Sequence, residues 1–307
     1  MVAVFVIFLR EGVEASMIVS ILLAYLDRIG QRSHFKDVLA GVGAALALAA
    51  GGGVAAYLTI RTYAGSRVQT IFETGTYVLA AVVLTYMTLW MAGHARTMSA
   101  ELNERADRAM GRGERLGLAL LAFQAVGREG LETAVFTLAI VFATGTRGTL
   151  AGGAAGLAVS LVAAVAIYRL GRRVNLAAFF RTVGALLIVF AAGLVADTVE
   201  NLQQLGWLPF LRHPMWSTAR QLSEGSAIGD VFHSLIGYAA QPTPLQLVCY
   251  LAYVATILAL FLRGGRRTRP ATTNVTAGLT AGATAGATAK GPDDPVTKPE
   301  ALPSAHV

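Results

Sequence analysis

The chain has 307 residues, of which 55% are hydrophobic and only 14% are charged, and its formal net charge at pH 7 is +7. This composition excludes an ordinary soluble domain and is typical of a protein that crosses a membrane several times. The positive charge does not indicate nucleic-acid binding, because the arginines lie between apolar segments rather than on one basic face. The single cysteine, Cys249, excludes an intrachain disulfide and a cysteine-based metal site.

Seven apolar segments are long enough to cross the hydrocarbon core of a membrane, which takes about 20 helical residues. The first segment begins without a basic leader, so we expect a retained span rather than a cleaved signal peptide. The sequence therefore predicts an all-α, polytopic membrane protein with seven transmembrane helices. The predicted spans are 2–26, 38–60, 71–93, 116–144, 150–170, 177–199 and 245–262.

The orientation follows from the lysines and arginines near the ends of these segments. With the N-terminus outside, sixteen of them lie at inner connections and five at outer ones. The positive-inside rule therefore predicts a protein with its N-terminus outside and its C-terminus inside. We expect it in the cytoplasmic (cell) membrane as a multi-pass protein.

The pattern Arg-Glu-Gly-x-Glu occurs in the first and in the fourth predicted span, 118 residues apart. Because each copy opens a unit of three spans, the second unit enters the membrane from the opposite side. We interpret the chain as an inverted 3+3 repeat with a seventh helix added. At 1.5 Å per residue, both arginines lie about 12 Å from the outer surface. The two motifs are thus expected to face each other.

Each motif places two carboxylates on one face of its helix. Residues three apart are neighbours on a helix surface, so Glu11 pairs with Glu14 and Glu129 pairs with Glu132. Four converging carboxylates would form an oxygen cage suited to a hard or borderline cation. Ionisable groups inside a span are candidates for substrate or ion passage, so we predict that these four glutamates bind and translocate a metal ion.

The remaining motif residues have supporting roles in this hypothesis. Arg10 and Arg128 offset part of the carboxylate charge, pairing either within their own helix or across the repeat interface. Gly12 and Gly130 would allow a neighbouring helix or a partly dehydrated ion to approach closely. An alternative is that the charges form only a satisfied ion-pair network that fixes helix packing.

Two further acidic residues, Asp197 and Glu200, lie near the outer end of the sixth predicted span. They are candidates for a site where cations first bind from the outside, and the alternative is a solvated helix end. The spans and connections divide the chain into two three-helix repeats, an extracytoplasmic loop, the seventh helix and a cytoplasmic tail predicted to be disordered. In that order, with the cytoplasmic loop in the first repeat, they are residues 1–115, 116–200, 201–244, 245–262 and 263–307.

The doubled motif resembles that of the oxidase-dependent high-affinity iron permease family, which includes the fungal ferric permease and the bacterial Efe-type iron permeases. The likeness extends over nearly all of residues 5–262. One departure is Val199, where many relatives have histidine. Further stretches that carry the resemblance are Leu84-Thr85-Tyr86-Met87, Glu200-Asn201-Leu202-Gln203 and Gly237-Tyr238.

This resemblance implies high-affinity iron import, with the four motif glutamates binding iron and the two arginines as required companions. Iron, Fe(II) or Fe(III), would be the transported substrate, and no permanently bound cofactor is implied. Import would be oxidation-linked, proton-coupled or driven by the membrane potential. The implied partners, besides membrane lipid, are a periplasmic or extracellular iron-binding protein and a haem peroxidase or an oxidase.

Three other functions compete with iron import. The chain could be a permease for another divalent cation, or a metal-binding membrane sensor without transport. A membrane di-iron enzyme is disfavoured, because such sites add Glu-x-x-His pairs and none of the five histidines follows a glutamate at that spacing within a span. We therefore predict a transporter and not an enzyme.

Overall fold

The computed structural model describes residues 2–94, 98–110, 114–146, 148–170, 176–223 and 226–266. In these ranges the regular structure is helical throughout, and a short 3-10 turn, Arg32–His34, precedes the second helix. The α-helices are α1 (Val2–Arg28), α2 (Phe35–Arg61), α3 (Arg67–His94), α4 (Met98–Met110), α5 (Glu114–Thr144), α6 (Thr149–Leu170), α7 (Leu176–Gln204), α8 (Ala227–Ile236) and α9 (Pro244–Arg266).

Each of the seven predicted spans corresponds to one long helix, while α4 and α8 lie in predicted connections. Within the described ranges, four helices are long and apolar enough to cross a membrane: α2, α3, α7 and α9. The motif charges make α1 and α5 less apolar, and the described apolar part of α6, Thr149–Val165, is shorter. The predicted tail lies outside the described residues from position 267 onward.

Large apolar side chains remain exposed along α2 and α6. Leu48 is 61% exposed on α2, and Leu161 is 64% exposed on α6. A water-soluble protein would bury such residues, whereas hydrocarbon solvates them. The surface of these helices is therefore that of a membrane protein.

The long helices pack in pairs that cross between the two halves of the chain. The most extensive contacts are α2 with α5, α1 with α6, and α3 with α7, while α9 packs against α7. The two helices with the repeated motif, α1 and α5, also contact each other. Most of the packing therefore joins one predicted repeat to the other.

Small residues explain how α2 and α6 approach their partners so closely. In each helix three buried small residues recur at intervals of four, so they form one stripe down the contact face. A Cβ atom added at Gly156 would stand 2.6 Å from the carbonyl oxygen of Phe5 in α1. The stripes are Gly41, Ala45 and Ala49 on α2, and Gly152, Gly156 and Ser160 on α6.

Two clusters of buried apolar side chains lie along the α1 and α5 pair, one on each side of the motif charges. The charged positions, 10–14 in α1 and 128–132 in α5, are thus enclosed between two apolar layers. The first cluster includes Met17, Leu22, Leu118 and Val126, and the second includes Val4, Ile7, Phe136 and Ile140.

The close contact at Gly156 makes a testable prediction. We expect Gly156→Ala to lower the free energy of unfolding by about 1–3 kcal/mol, because the new methyl group overpacks the contact between α1 and α6. Gly43→Ala is the matched control on α2, since nothing lies within 4 Å of its added Cβ atom. The control should be neutral or stabilising by up to about 1 kcal/mol. Detergent titration of the purified chain measures both, and equal stabilities for the two variants would contradict the packing.

Candidate cation site between the two motifs

Three glutamates from the two motifs converge between α1 and α5. Carboxylate oxygens of Glu11, Glu14 and Glu129 all lie within 4.8 Å of one another, and all three residues are buried. The Glu14 side chain has no exposed surface. Glu132 stands outside this group, with 12% of its side chain exposed. The structure thus brings together three of the four carboxylates named from the sequence and leaves the fourth at the edge.

The two arginines pair with these carboxylates in different ways. Arg10 forms an ion pair with Glu11, and its Nη2 lies 3.8 Å from Glu14 Oε2, both on its own helix. Arg128 Nη2 lies 2.7 Å from Glu129 Oε1 on its own helix and 3.7 Å from Glu14 Oε1 on α1. Glu14 therefore lies between a guanidinium group from each motif.

Arg128 also contacts two residues at the edge of the cluster, Glu132 and Trp90. Its Nε lies 3.5 Å from Glu132 Oε1, and its guanidinium carbon lies 5.6 Å from the ring centroid of Trp90, within the range of a cation–π interaction. The Arg128 side chain is 45% exposed, whereas that of Arg10 is 3% exposed. Trp90 lies outside both motifs, and the sequence gave no reason to pair it with Arg128.

Many carboxylate oxygens in the cluster lack the hydrogen bonds that buried acceptors normally receive. The Arg10 and Arg128 contacts with Glu14 are too long for hydrogen bonds. Buried acceptors without partners are costly, and buried charges are normally paired or coordinate metals. The five buried oxygens without a hydrogen bond are Oε2 of Glu11, Oε1 and Oε2 of Glu14, Oε2 of Glu129 and Oε2 of Glu132.

The charge of the cluster has the same implication. When all four carboxylates are ionised, they and the two guanidinium groups carry a net charge of −2 between two apolar layers. An ion-pair network whose only role was packing would be expected to balance its charges and satisfy its oxygens. The arrangement can hold a cation that takes up the remaining charge and the free carboxylate oxygens.

The motif glycines lie against the small residues of α2 and α6. A Cβ atom at Gly12 would overlap the Ser160 side chain of α6, and one at Gly130 would stand 2.8 Å from the Ala49 Cβ atom of α2. Gly12 and Gly130 thus allow α6 and α2 to close over the outer faces of the motif helices. Both small residues belong to the stripes described above.

The two acidic residues at the end of α7 have different surroundings. Glu200 Oε2 accepts a hydrogen bond from Gln246 Nε2 at 3.0 Å, and Glu200 Oε1 accepts one from Gln204 Nε2 at 3.2 Å. Asp197 Oδ2 instead lies 3.9 Å from His233 Nε2 on α8. The sequence named Asp197 and Glu200 as one candidate site, and it gave no signal that His233, in a separate connection, lies beside Asp197.

A helical membrane protein with a buried, under-neutralised carboxylate cluster at the contact of two repeated motifs has the features of a cation transporter. Residues 1–266 match the Iron permease FTR1 family, and the chain belongs to this family. It is a transporter and not an enzyme.

Individual relatives agree with this membership. The chain is 32% identical over 274 residues to "Ferrous iron permease EfeU" of Escherichia coli O6:K15:H31, with 88% of this chain and 99% of the relative covered. It is 31% identical over 266 residues to the protein of the same name from Yersinia pestis, covering 86% and 94% of the two chains. An uncharacterized protein of Archaeoglobus fulgidus is 35% identical over 281 residues, covering 87% and 96%. No solved structure matches significantly.

The burial of Arg10 generates a second prediction. We expect Arg10→Met to lower the free energy of unfolding by about 3–5 kcal/mol, because it leaves Glu11 without its ion-pair partner and removes one of the two guanidinium groups beside Glu14. Adding Glu11→Gln should restore part of this loss, since one of the uncompensated charges is then removed.

The matched control for Arg10 is Arg105→Ala on α4. Arg105 pairs with Glu101 four residues earlier, but the two side chains are 53% and 49% exposed. Its removal should change the free energy of unfolding by no more than about 1 kcal/mol. Similar losses for Arg10→Met and Arg105→Ala in denaturing-detergent titrations would contradict a buried charge cluster.

Proposed function

We propose that this protein imports ferrous iron across the cell membrane, and that Fe²⁺ passes through the carboxylate cluster of Glu11, Glu14, Glu129 and Glu132. The observation that carries the proposal is the set of five buried carboxylate oxygens without hydrogen bonds. These oxygens and the residual negative charge provide what a dehydrating divalent cation requires. A network that only fixes helix packing would not be stabilised by oxygens without hydrogen bonds or by a residual negative charge.

Ferrous rather than ferric iron is supported by the charge of the cluster. With all four carboxylates ionised, the net charge of −2 is neutralised by one divalent ion, whereas a trivalent ion would leave a positive charge in apolar surroundings. The relatives from Escherichia coli and Yersinia pestis are named ferrous iron permeases, which agrees with this choice. Oxygen ligands alone do not exclude another divalent cation, so selectivity has to be measured against Mn²⁺ and Co²⁺.

We further propose seven transmembrane helices arranged as an inverted 3+3 repeat plus one, with the N-terminus outside. A pseudo-twofold axis that exchanges α1 with α5, and α2 with α6, would turn the α2–α5 contact into the α6–α1 contact. Those two are among the most extensive packings in the fold. The matching stripes of small residues on α2 and α6, and the contacts of Gly12 and Gly130 with them, support the same axis.

The two apolar clusters suggest how passage would be controlled. They separate the motif charges from both ends of the α1 and α5 pair, so an ion at the cluster has hydrocarbon-like side chains above and below it. Transport would then require each apolar layer to part in turn as the repeats move against each other. The close contacts of the small-residue stripes would allow α2 and α6 to move together with α5 and α1.

The membrane potential is a sufficient energy source for this step. The sequence contains no phosphate-binding loop for ATP. An inside-negative potential of 100 mV contributes about 2.3 kcal/mol per charge, and so about 4.6 kcal/mol for Fe²⁺. This corresponds to an accumulation of roughly 2,000-fold at equilibrium.

Radioactive iron uptake into proteoliposomes tests the proposed site. We expect Glu14→Gln and Glu129→Gln to lower the initial rate of Fe²⁺ uptake, measured under reductant, by at least about tenfold, because each removes a charged ligand without changing side-chain size. Glu104→Gln on α4 is the control, since that side chain is 71% exposed and far along the chain from both motifs. Full flux in both motif variants would refute the proposed path. Wild-type iron binding without any flux would favour a sensor.

The driving force is tested separately in the same vesicles. Potassium gradients with valinomycin set the potential, and we expect uptake of Fe²⁺ to rise as the interior becomes more negative. Exchange of one Fe²⁺ for two protons would be electrically neutral. Uptake that does not change with the potential but increases with an imposed pH gradient would therefore refute the potential-driven mechanism and support exchange with protons.

A further inference from the structure

We propose that Asp197 of α7 and His233 of α8 form a second site for a divalent cation, which receives Fe²⁺ from outside before the ion reaches the motif glutamates. This inference rests on the proposed function, because it adds a first binding step to the same route. It also replaces the pair Asp197 and Glu200, since the structure gives Glu200 different partners.

The hydrogen bonding of His233 prepares its other ring nitrogen to bind a metal. Its Nδ1 lies 2.8 Å from the backbone carbonyl oxygen of Tyr238. A carbonyl oxygen can only accept, so Nδ1 carries the proton and donates it. In the neutral ring Nε2 then holds a lone pair, and it is this nitrogen that faces Asp197. A histidine that donates one N–H to a carbonyl while binding through the other nitrogen is the usual arrangement of a metal ligand.

The distance between the two side chains is suited to a shared ion. His233 Nε2 and Asp197 Oδ2 are 3.9 Å apart, which is too long for a hydrogen bond. Two metal–ligand bonds of about 2.1 Å each hold their ligand atoms about 3.0–3.4 Å apart at octahedral or tetrahedral angles, so an ion would draw the two side chains together by less than about 1 Å. Nitrogen and carboxylate oxygen together suit a borderline cation such as Fe²⁺ better than Mg²⁺ or Ca²⁺.

A small cavity adjoins the pair. Its volume is about 10 Å³, close to that of one water-sized sphere. Asp197 and His233 supply its ionisable groups, and the other lining side chains are apolar. The Asp197 and His233 side chains are only 16% and 14% exposed. An ion there would be largely removed from bulk solvent, as a relay site between solution and a buried cluster requires.

Two glycines fix the position of α8 against α7. Gly193 and Gly237 meet backbone to backbone, and a Cβ atom added at Gly193 would stand 2.8 Å from the Gly237 Cα atom. Gly237 ends α8 with a φ of 66°, which glycine adopts at little cost. Asp197 lies one turn after Gly193, and His233 lies one turn before Gly237. The glycine contact therefore sets the distance between the two proposed ligands.

The position of the pair along the helices agrees with an outer relay. Ile140 of α5 lines the cavity and lies eight residues after Glu132, which is about 12 Å along the helix. In the proposed orientation that direction is toward the outside. Phe136 and Ile140 belong to the apolar cluster between the two places, so an ion would wait at the pair until that layer parts.

Equilibrium dialysis with radioactive Co²⁺ tests the site in the full-length protein in detergent. We expect His233→Gln and Asp197→Asn each to bind one ion fewer than the wild type. His213→Gln is the matched control, since it changes an exposed histidine in the same connection between α7 and α9 and should bind as the wild type does. If both site variants retain the wild-type stoichiometry and affinity, the pair is only an ion pair that holds α8, and the proposal is overturned.

The double variant Glu14→Gln/Glu129→Gln separates this proposal from the proposed function. It should retain one bound Co²⁺, which disappears when His233→Gln is added. Loss of that ion with His233→Gln, combined with full flux in the motif variants, would support the outer site and refute the glutamate path. If His233→Gln has no effect on binding while the motif variants lose flux, the glutamate path is supported and the outer site is refuted.

Transport kinetics provide a second readout that a purely structural role would not produce. In proteoliposomes we expect Asp197→Asn to raise the half-saturating Fe²⁺ concentration about tenfold, because an outer ligand is lost. The maximal rate should stay within about twofold of the wild type, because the motif cluster is intact. A lower maximal rate with an unchanged half-saturating concentration would contradict an outer binding step. Gly193→Ala should reproduce the Asp197→Asn effect by displacing α8.

Discussion

The structure depends on one constraint: six ionisable side chains lie within the apolar middle parts of two helices and have to be stabilised there. Helices α1 and α5 meet this requirement through each other, because Glu14 of α1 lies between Arg10 of its own helix and Arg128 of α5. Each charged group alone would be too costly in hydrocarbon. The contact of the two motif helices is thus enforced by electrostatics, and the apolar layers above and below follow from ordinary burial along the same helices.

Enclosing charges in this way requires helices that approach one another very closely. The small-residue stripes allow this close approach. Hydrocarbon gives no hydrophobic drive for helix association, so van der Waals contact between backbones has to supply the attraction. Gly41 on α2 backs onto the Ala119 carbonyl of α5, and Gly156 on α6 does the same with Phe5 of α1. The exposed apolar residues on the opposite faces of α2 and α6 then remain for lipid. Helices α1 and α5 thus carry the charged groups, and α2 and α6 pack against them and separate them from lipid.

The sequence predicted the long helices within a few residues at most ends, because length and continuous hydropathy are strong signals. It also predicted that both motifs present paired carboxylates, since helical spacing fixes which residues share a face. It did not predict that Glu132 stands apart while Arg128 reaches across to Glu14, because side-chain rotamers and helix tilt decide such distances. The contact of His233 with Asp197 depends on how a long connection folds back, which no local pattern encodes. The stripe on α2 was present in the sequence, but alanine is too common in apolar helices to stand out.

The repeated motif is not used equivalently in its two positions, and the difference has a physical consequence. Arg10 is enclosed and pairs along its own helix, whereas Arg128 is nearly half exposed, rests on Trp90 and spans both motifs. Arg128 donates hydrogen bonds to Glu129 at 2.7 and 3.0 Å, and its contacts with Glu14 and Glu132 are longer. Because its guanidinium group is also partly solvated, moving it costs less than moving the enclosed guanidinium group of Arg10. Two identical halves in identical environments would have no preferred direction in which to open. The asymmetry makes Arg128 the cation whose movement costs least, so in the proposed route the α5 motif is the side from which the carboxylates would most readily exchange a guanidinium partner for an arriving metal ion.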